Sequence, residues 1–327
     1  DGPTLVRIGD VITTLAGPST QSQSADAQMI AEAILLGSDK ALSMLRTGGG
    51  DVASRMHTGA GAKGITAFAD VGYVSRSHDD VEFGLGAATG GVIGAMQNGF
   101  DYTVALTGFS ASGEVTSDLG DADTSSSGFS IGAYGHTDLG SVSLGFGATF
   151  GAATNDSERL VNDNLALFGV GTIDAEFGTT FISPAVEVSY ATQVGGMTVT
   201  PRAGFRYTML MAEAYEETGG AAAMEVDERT TNVSDLTIGV DAARAMGSGV
   251  LTASADVLMR SISGDDFDMS LAGVTGTTTG TSDDFTAIDF GIGYEMAVGE
   301  GIVSIDGSAM LGDVEGYGVS ARYEISF

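Results

Sequence analysis

The sequence predicts an all-β transmembrane protein: an antiparallel outer-membrane β-barrel of about twelve strands with an N-terminal α-helix in its lumen. Three observations support this fold class. The last residues of the chain alternate in polarity up to the final side chain, segments of about ten residues repeat that alternation, and the links between the segments alternate between short and long. No run of about 18 apolar residues occurs, so the sequence predicts no transmembrane helix.

The closing stretch, residues 317–327, gives the clearest alternation. In an extended strand, successive side chains point to opposite faces. One face is then polar or small, and the other is apolar and consists of Tyr317, Val319, Ala321, Tyr323, Ile325 and Phe327. Because a chain terminus is normally solvated, an aromatic final residue is unusual for a soluble strand and is typical of the closing strand of an outer-membrane barrel.

The same design recurs from Gly64 onward. We predict strands at 64–74, 81–96, 100–112, 128–137, 141–153, 178–192, 197–212, 232–246, 249–262, 285–297, 301–311 and 316–327. A representative lipid-facing set is Val142, Leu144, Phe146, Ala148 and Phe150, which alternates with Ser143, Gly145, Gly147 and Thr149.

The links between strands also alternate. Five glycine-containing turns, near residues 97–99, 137–140, 194–196, 246–249 and 298–301, are short, whereas the links between them are longer and acidic. In bacterial barrels the short turns are periplasmic and the long loops extracellular. We therefore expect extracellular long loops and both barrel termini on the periplasmic side.

A single long helical segment precedes the strands. Residues from Ala27 to Arg46 contain no proline, with Ser24 or Asp26 as the N-cap and a glycine run after Thr47. A helix of about 22 residues reaches about 33 Å, close to the thickness of a bilayer core. The predicted division is a passenger remnant or linker at 1–23, a lumen helix and connector at 24–63, and the barrel at 64–327. A helix packed outside a soluble domain is the alternative.

The composition excludes several classes of function. The net charge of -30, with only 13 Lys and Arg, excludes a nucleic-acid partner. The absence of cysteine excludes disulfides and thiol chemistry. The chain opens at Asp1 without methionine or a signal pattern, which indicates a processed protein or a piece of a longer precursor.

Charged residues at inward positions predict a polar, wet and mildly acidic lumen. The principal wall residues are Glu187, Arg202, Arg206, Asp256, Arg260, Asp289, Glu295 and Asp306, and Asp70, Glu82, Asp241, Arg322 and Glu324 are also expected to point inward. On the helix and connector, Lys40, Arg46 and Arg55 are expected to find carboxylate partners. Barrel interiors are polar simply because water fills them, so a nonspecific role is the alternative for each residue.

The sequence predicts no catalytic, cofactor-binding or metal site. Its three histidines are His57, in the connector, His78, in the first outer loop, and His136, near a turn. None is expected to share a rim with both a serine and an acidic partner, as a hydrolytic site requires.

A lumen helix followed by about twelve strands that end in phenylalanine resembles the C-terminal translocator domain of type V autotransporters, from Ser24 to Phe327. The resemblance implies that the barrel exports and anchors an N-terminal passenger, that it lies in the bilayer and lipopolysaccharide of the Gram-negative outer membrane, and that it is a monomer. It also implies that the barrel-assembly machinery reads Tyr323, Ile325 and Phe327. Residues 24–63 contain no asparagine, the residue that self-cleaving members use. A passive porin or channel is the alternative function, and a soluble β-barrel binding protein is a third.

Overall fold

The computed structural model describes residues 17–50, 64–96, 99–116, 121–162, 170–220 and 222–327. Within these ranges the chain forms a closed antiparallel barrel of twelve strands with one helix N-terminal to it, which confirms the predicted fold class. In the described part of the chain, no helix combines the length and apolarity needed to span a bilayer.

Each barrel strand pairs with the strands before and after it in the chain. The twelve are β1 (Thr66–His78), β2 (Val81–Ala95), β3 (Phe100–Val115), β4 (Ala122–Leu139), β5 (Val142–Asn162), β6 (Val170–Ser189), β7 (Met197–Ala212), β8 (Arg229–Met246), β9 (Gly249–Gly264), β10 (Ser282–Val298), β11 (Gly301–Gly312) and β12 (Val314–Ser326). A short strand, Thr192–Val194, pairs with the start of β7. We call the end of the barrel with tight turns the turn end and the opposite end the loop end.

The barrel closes between its last and first strands. The ladder runs from Thr66 opposite Ser326 to His78 opposite Val314. Beyond it, the backbone N–H of Phe327 donates to the carbonyl oxygen of Ile65 at 3.0 Å. A closed ladder leaves no strand edge in the hydrocarbon, where each unpaired backbone group is costly.

Nearly all strands that reach the loop end are longer than the alternation predicts. Strand β4 begins at Ala122 instead of residue 128, and β5 continues to Asn162 instead of residue 153. Past the lipid band both faces of a strand meet water, so the apolar alternation ends before the backbone pairing does. The outer part of the β4–β5 ladder, which ends with Ala122 opposite Arg159, is an example of strand pairing without apolar alternation.

Segments from two loop-end connections form a second sheet. Its four strands, in sheet order, are Val274–Thr278, Phe267–Leu271, Glu225–Val226 and Tyr215–Glu216. Met224, Val226, Phe267 and Met269 form its buried core. We call the residues 215–226 and 267–278 the cap.

The helix, α1, extends from Gly17 to Gly50 and contains 34 residues. Its start differs from the sequence prediction, because Ser24 and Asp26 lie inside the helix and the segment after Gly17 is helical instead of a linker. Proline fits the first turn of a helix, where its missing N–H is not needed. Pro18 therefore starts this helix and does not interrupt it.

Candidate functional site in the barrel lumen

Helix α1 occupies the lumen, with its N-terminal half at the loop end. Near that end, the Thr124 hydroxyl donates to Asp26 Oδ1 at 2.6 Å. Towards the turn end, Lys40 Nζ lies 3.2 Å from Asp306 Oδ2 and donates to Ser320 at 2.6 Å. The helix therefore contacts opposite sides of the wall at different depths.

One side of the helix packs tightly against strands β2 to β5. Ile30 and Ile34 belong to a buried cluster that includes Phe83, Leu85 and Phe109 from the wall. At Gly37, a Cβ would lie 2.6 Å from Thr107 Oγ1, so the helix backbone approaches the wall too closely for a side chain. The prediction of a polar, wet lumen is wrong on this side, because the apolar stripe of the helix is buried against apolar wall residues.

The opposite side of the helix borders a cavity of about 570 Å³. Its lining includes eight carboxylates and four cationic side chains, so it is acidic as predicted: Glu32, Asp138, Glu187, Asp241, Asp256, Asp289, Glu295 and Asp306, with Lys40, Arg76, Arg202 and Arg322. Towards the loop end the lining stops at Glu32, Arg76, Leu258 and Met310. The lumen is thus divided into a packed half and a wet, charged half.

A buried ion cluster connects the helix to the wall at that boundary. Glu32 of the helix lies 3.1 Å from Arg260 Nη1 and 3.5 Å from Arg76 Nε. Arg260 is also held by both oxygens of Asp235, at 2.6 and 3.1 Å. All four side chains are at most 7% exposed, so water screens these charges weakly. We call Glu32, Arg76, Asp235 and Arg260 the helix clamp.

Most of the remaining predicted wall residues form two further clusters, and Arg206 and Asp289 lie outside them. Arg202 lies 2.6 Å from Asp256, 3.2 Å from Asp241 and 3.8 Å from Glu187. Arg322 lies 2.9 Å from Glu295 and 2.7 Å from Glu324. Buried Arg206 reaches Ser183 at 3.5 Å, and Asp289 lines the cavity.

Some predicted positions differ from the structure or lie beyond its description. Glu82 points to the outer face of the barrel and is exposed, because Val81, Phe83 and Leu85 take the inward positions of β2. The backbone of Arg46 belongs to α1, but its side chain lies outside the described residues, as does all of Arg55.

Sequence reasoning missed the clamp. Arg260 was expected to point inward, but its partners and neighbours Glu32, Arg76 and Asp235 were not singled out. A signal existed, because Arg76 and Asp235 share the inward parity of their strands with residues that were named. Only the position of the helix, which a sequence pattern cannot give, brings the Glu32 carboxylate to both Arg76 and Arg260.

His78 lies inside β1 instead of in a loop. Its Nε2 lies 3.2 Å from Asp283 Oδ1, and its Nδ1 lies 2.9 Å from the carbonyl oxygen of Asp313. His78 therefore has one acidic partner, the side chain of Asp283. No serine hydroxyl among the described residues is hydrogen-bonded to His78, and no metal-binding group of three His, Cys, Asp or Glu occurs among them.

The cap is attached to the loop end of the lumen by buried polar contacts. Arg159 of β5 binds Glu217 through two bonds of 3.1 and 2.6 Å, and both side chains are 3% exposed. Arg229 lies over the rings of Phe177 and Tyr215, at 4.8 and 5.2 Å from their centroids. The cap residues Tyr215 and Glu217 share a small cavity with Gln23 and Asp26 of the helix.

On the closing strand, the aromatic side chains of Tyr323 and Phe327 are 41% and 79% exposed on the outer face. Ile325 shares this face and is partly covered. The terminal aromatic therefore contributes little buried area to the barrel.

Comparisons with known proteins identify relatives of this fold. The family model described as autotransporter beta-domain matches residues 62–309. The translocator domain of the autotransporter NalP from Neisseria meningitidis superposes with a TM-score of 0.65 at 16% identity, covering 90% of this chain and 100% of that one. The beta domain of the Bordetella autotransporter BrkA gives 0.58 at 14% identity, covering 81% and 100%.

A protein of another class shares the architecture. The Ralstonia pickettii toluene transporter TbuX gives a TM-score of 0.51 at 11% identity, covering 84% of this chain and 94% of that one. At these identities the similarity shows the fold alone. No curated protein sequence matches the chain.

Proposed function

Because the chain belongs to the autotransporter beta-domain family, the outer-membrane translocator barrels of type V secretion, we propose that it exports and anchors an N-terminal passenger through or with its barrel. The observation that carries this proposal is the path of the chain. Helix α1 runs along the lumen from the loop end, while β1 starts and β12 ends at the turn end.

This path puts the start of the helix and the end of the last strand at opposite ends of the barrel. Gly17 begins the helix at the loop end, whereas Ile65 and Phe327 meet at the turn end. A segment connected in this way has either passed through the barrel or been enclosed as the barrel closed. Both routes deliver the N-terminal segment across the membrane that the barrel spans.

Orientation and partners follow from the same proposal. The loop end with the cap is extracellular and both barrel termini are periplasmic, as in bacterial barrels with short periplasmic turns. The lipid-facing belt contacts the bilayer and lipopolysaccharide, and the barrel works as a monomer. The barrel-assembly machinery recognises Tyr323, Ile325 and Phe327, because these side chains are presented outward on the closing strand.

In the proposed division, residues 1–23 are a passenger remnant or linker, 24–63 the lumen segment and 64–327 the barrel. Helix α1 crosses the first boundary by starting at Gly17. The wall clusters around Arg202 and Arg322 keep the free half of the lumen wet during passage. The clamp around Arg260 holds the helix once passage is complete.

The test deletes residues 24–47 and keeps the rest of the chain. In planar bilayers, single-channel conductance should rise sharply, because removing the helix widens the path along the lumen. In cells, an epitope placed before Asp1 should be accessible from outside with the intact chain. An epitope that stays periplasmic while the barrel is inserted and folded would overturn the export proposal.

The cavity beside the helix favours a second candidate, a passive channel. The cavity has a charged lining and a volume of about 570 Å³, which is enough for water and small ions. The clamp and apolar side chains bound it towards the loop end. The two candidates differ in the intact protein. A passive channel conducts steadily with the helix in place, whereas a translocator with a resting helix conducts little until the helix is removed.

A further inference from the structure

The cap sheet has two edges, and the barrel covers one of them. Thr218, which follows the edge strand Tyr215–Glu216, exchanges two backbone hydrogen bonds of 2.9 Å with Asp174 of β6. The opposite edge strand, Val274–Thr278, pairs with Phe267–Leu271 on one side. On its other side it has no strand partner among the described residues.

This open edge lacks the features that normally protect a strand edge. Natural edge strands carry lysine, proline or inward charges that prevent pairing with another strand. Residues 274–278 read Val-Thr-Gly-Thr-Thr, without charge or proline. Thr275 and Thr277 are exposed, while Thr278 is buried beside Met269. The edge therefore offers backbone donors and acceptors to an additional strand.

The position of helix α1 indicates which segment can fill this edge. Gln23 and Asp26 line the same small cavity as Tyr215 and Glu217 of the cap. The helix continues outward from Gln23 for six residues to Gly17, about 9 Å at 1.5 Å per residue. The chain before the helix is thus connected at the end of the barrel that carries the cap.

The sequence before the helix suits strand pairing. Residues 4–8 read Thr-Leu-Val-Arg-Ile, rich in apolar and β-branched side chains, with one charge. Eight residues lie between Ile8 and Gly17, and the nine residue steps from one to the other span up to about 30 Å when extended. That reach exceeds the distance across the four-stranded cap sheet, which is about 14 Å for three spacings between neighbouring strands.

We propose that the open edge Val274–Thr278 is a docking site for residues 4–8, which add a fifth strand to the cap sheet by backbone pairing. The cap then holds the first segment outside the helix in a defined place at the mouth of the lumen. The proposal deepens the proposed function, but its pairing chemistry depends only on the connection of the helix to the cap end. The two are therefore tested separately.

The test uses the absence of cysteine from the chain. Thr275→Cys is combined in turn with a single cysteine at each of positions 4 to 8 in the full chain, refolded in detergent. In a paired strand, successive side chains alternate between faces. Disulfide yield should therefore alternate with a period of two along the five positions. Glu315→Cys, exposed at the same end of the barrel, is the matched control and should show no alternation.

Every outcome decides the proposal. Equal yields at all five positions, or the same profile with Glu315→Cys, would show simple tethering and overturn it. Disulfides between two chains would assign the edge to a second copy instead. As a second measurement, backbone hydrogen exchange at 274–278 should accelerate when residues 1–15 are deleted, and unchanged exchange contradicts docking. Failure of export with an alternating disulfide profile would reject the proposed function and leave the docking site intact.

Discussion

The helix clamp makes a quantitative prediction about occlusion of the lumen. Replacing Glu32 by glutamine removes the single carboxylate that the helix presents to Arg76 and Arg260. Arg260 keeps Asp235, but Arg76 keeps only backbone carbonyl oxygens, those of Ser75 and Tyr317. Arg76 is then left without a carboxylate in direct contact, and Asp289 acts on it only at longer range.

The magnitude follows from this partial loss. Breaking a buried ion pair by removing one partner costs about 3–5 kcal/mol. Because Arg260 remains paired, we expect the lower end, about 3 kcal/mol. If the substitution destabilises only the state with the helix in the lumen, the ratio of open to occluded barrels rises by about 150-fold.

Single-channel recording in planar bilayers measures this ratio directly, as the time spent at high conductance. Gln28→Ala is the matched control one turn away, because it removes no charge but only a neutral amide, which donates to Asp283 Oδ2 at 3.2 Å and to Ser24 Oγ at 3.4 Å. A hydrogen bond to a charged acceptor contributes about 1.5 kcal/mol at the lower end of its range, so the expected change is about tenfold.

A double variant separates a local charge effect from general loosening. Combining Glu32→Gln with Arg76→Met removes the unpaired charge, so the open fraction should fall back towards that of the native chain. If the double variant opens at least as often as Glu32→Gln alone, Glu32 and Arg76 are not coupled. The clamp would then be ruled out as the element that holds the helix.

Three further predictions concern other parts of the barrel. Deleting Phe327, whose side chain is 79% exposed, should leave refolding in detergent intact but abolish assembly in cells, scored by heat-modifiable gel migration. Gly37→Ala should increase channel opening because its Cβ meets Thr107 Oγ1 at 2.6 Å, and adding Thr107→Ala should reverse the effect. Burial raises the pKa of the Tyr215 phenol. The folded cap therefore binds this proton more tightly than the unfolded chain does. The stability of the cap is full below about pH 10 and falls as the pH rises through the folded pKa. Ultraviolet titration should show a late tyrosine ionisation that Tyr215→Phe removes.

The sequence predicted the barrel well because lipid imposes a strict pattern. Each transmembrane strand must present apolar side chains at every second position, as in Val142 to Phe150, and glycine turns with positive φ mark the turn end. The same rule explains the errors at the loop end. Where lipid ends, alternation no longer reports pairing, so the outer part of β4 and the cap hairpin Phe267–Thr278 were taken for loops.

The lumen was less predictable for a related reason. Water and protein both contact inward side chains, so an inward position can be polar, as at Arg202, or apolar, as at Phe83. The choice depends on where the helix lies. Sequence periodicity gives the face of a residue on its own strand but not its depth relative to a separate helix. The partners of Glu32 therefore required the three-dimensional structure.

The distribution of charge in the lumen relates the sequence of the wall to the position of the helix. The helix presents apolar side chains to β2–β5 and charged ones, Glu32 and Lys40, to the opposite wall. A helix rotated by half a turn would bury both charges against apolar residues and expose Ile30 and Ile34 to the wet half. Burying an unpaired charge is far more costly than losing a contact. The apolar side of the wall therefore fixes the rotation of the helix, and the clamp fixes its axial position. Together they give the helix one stable position in the lumen.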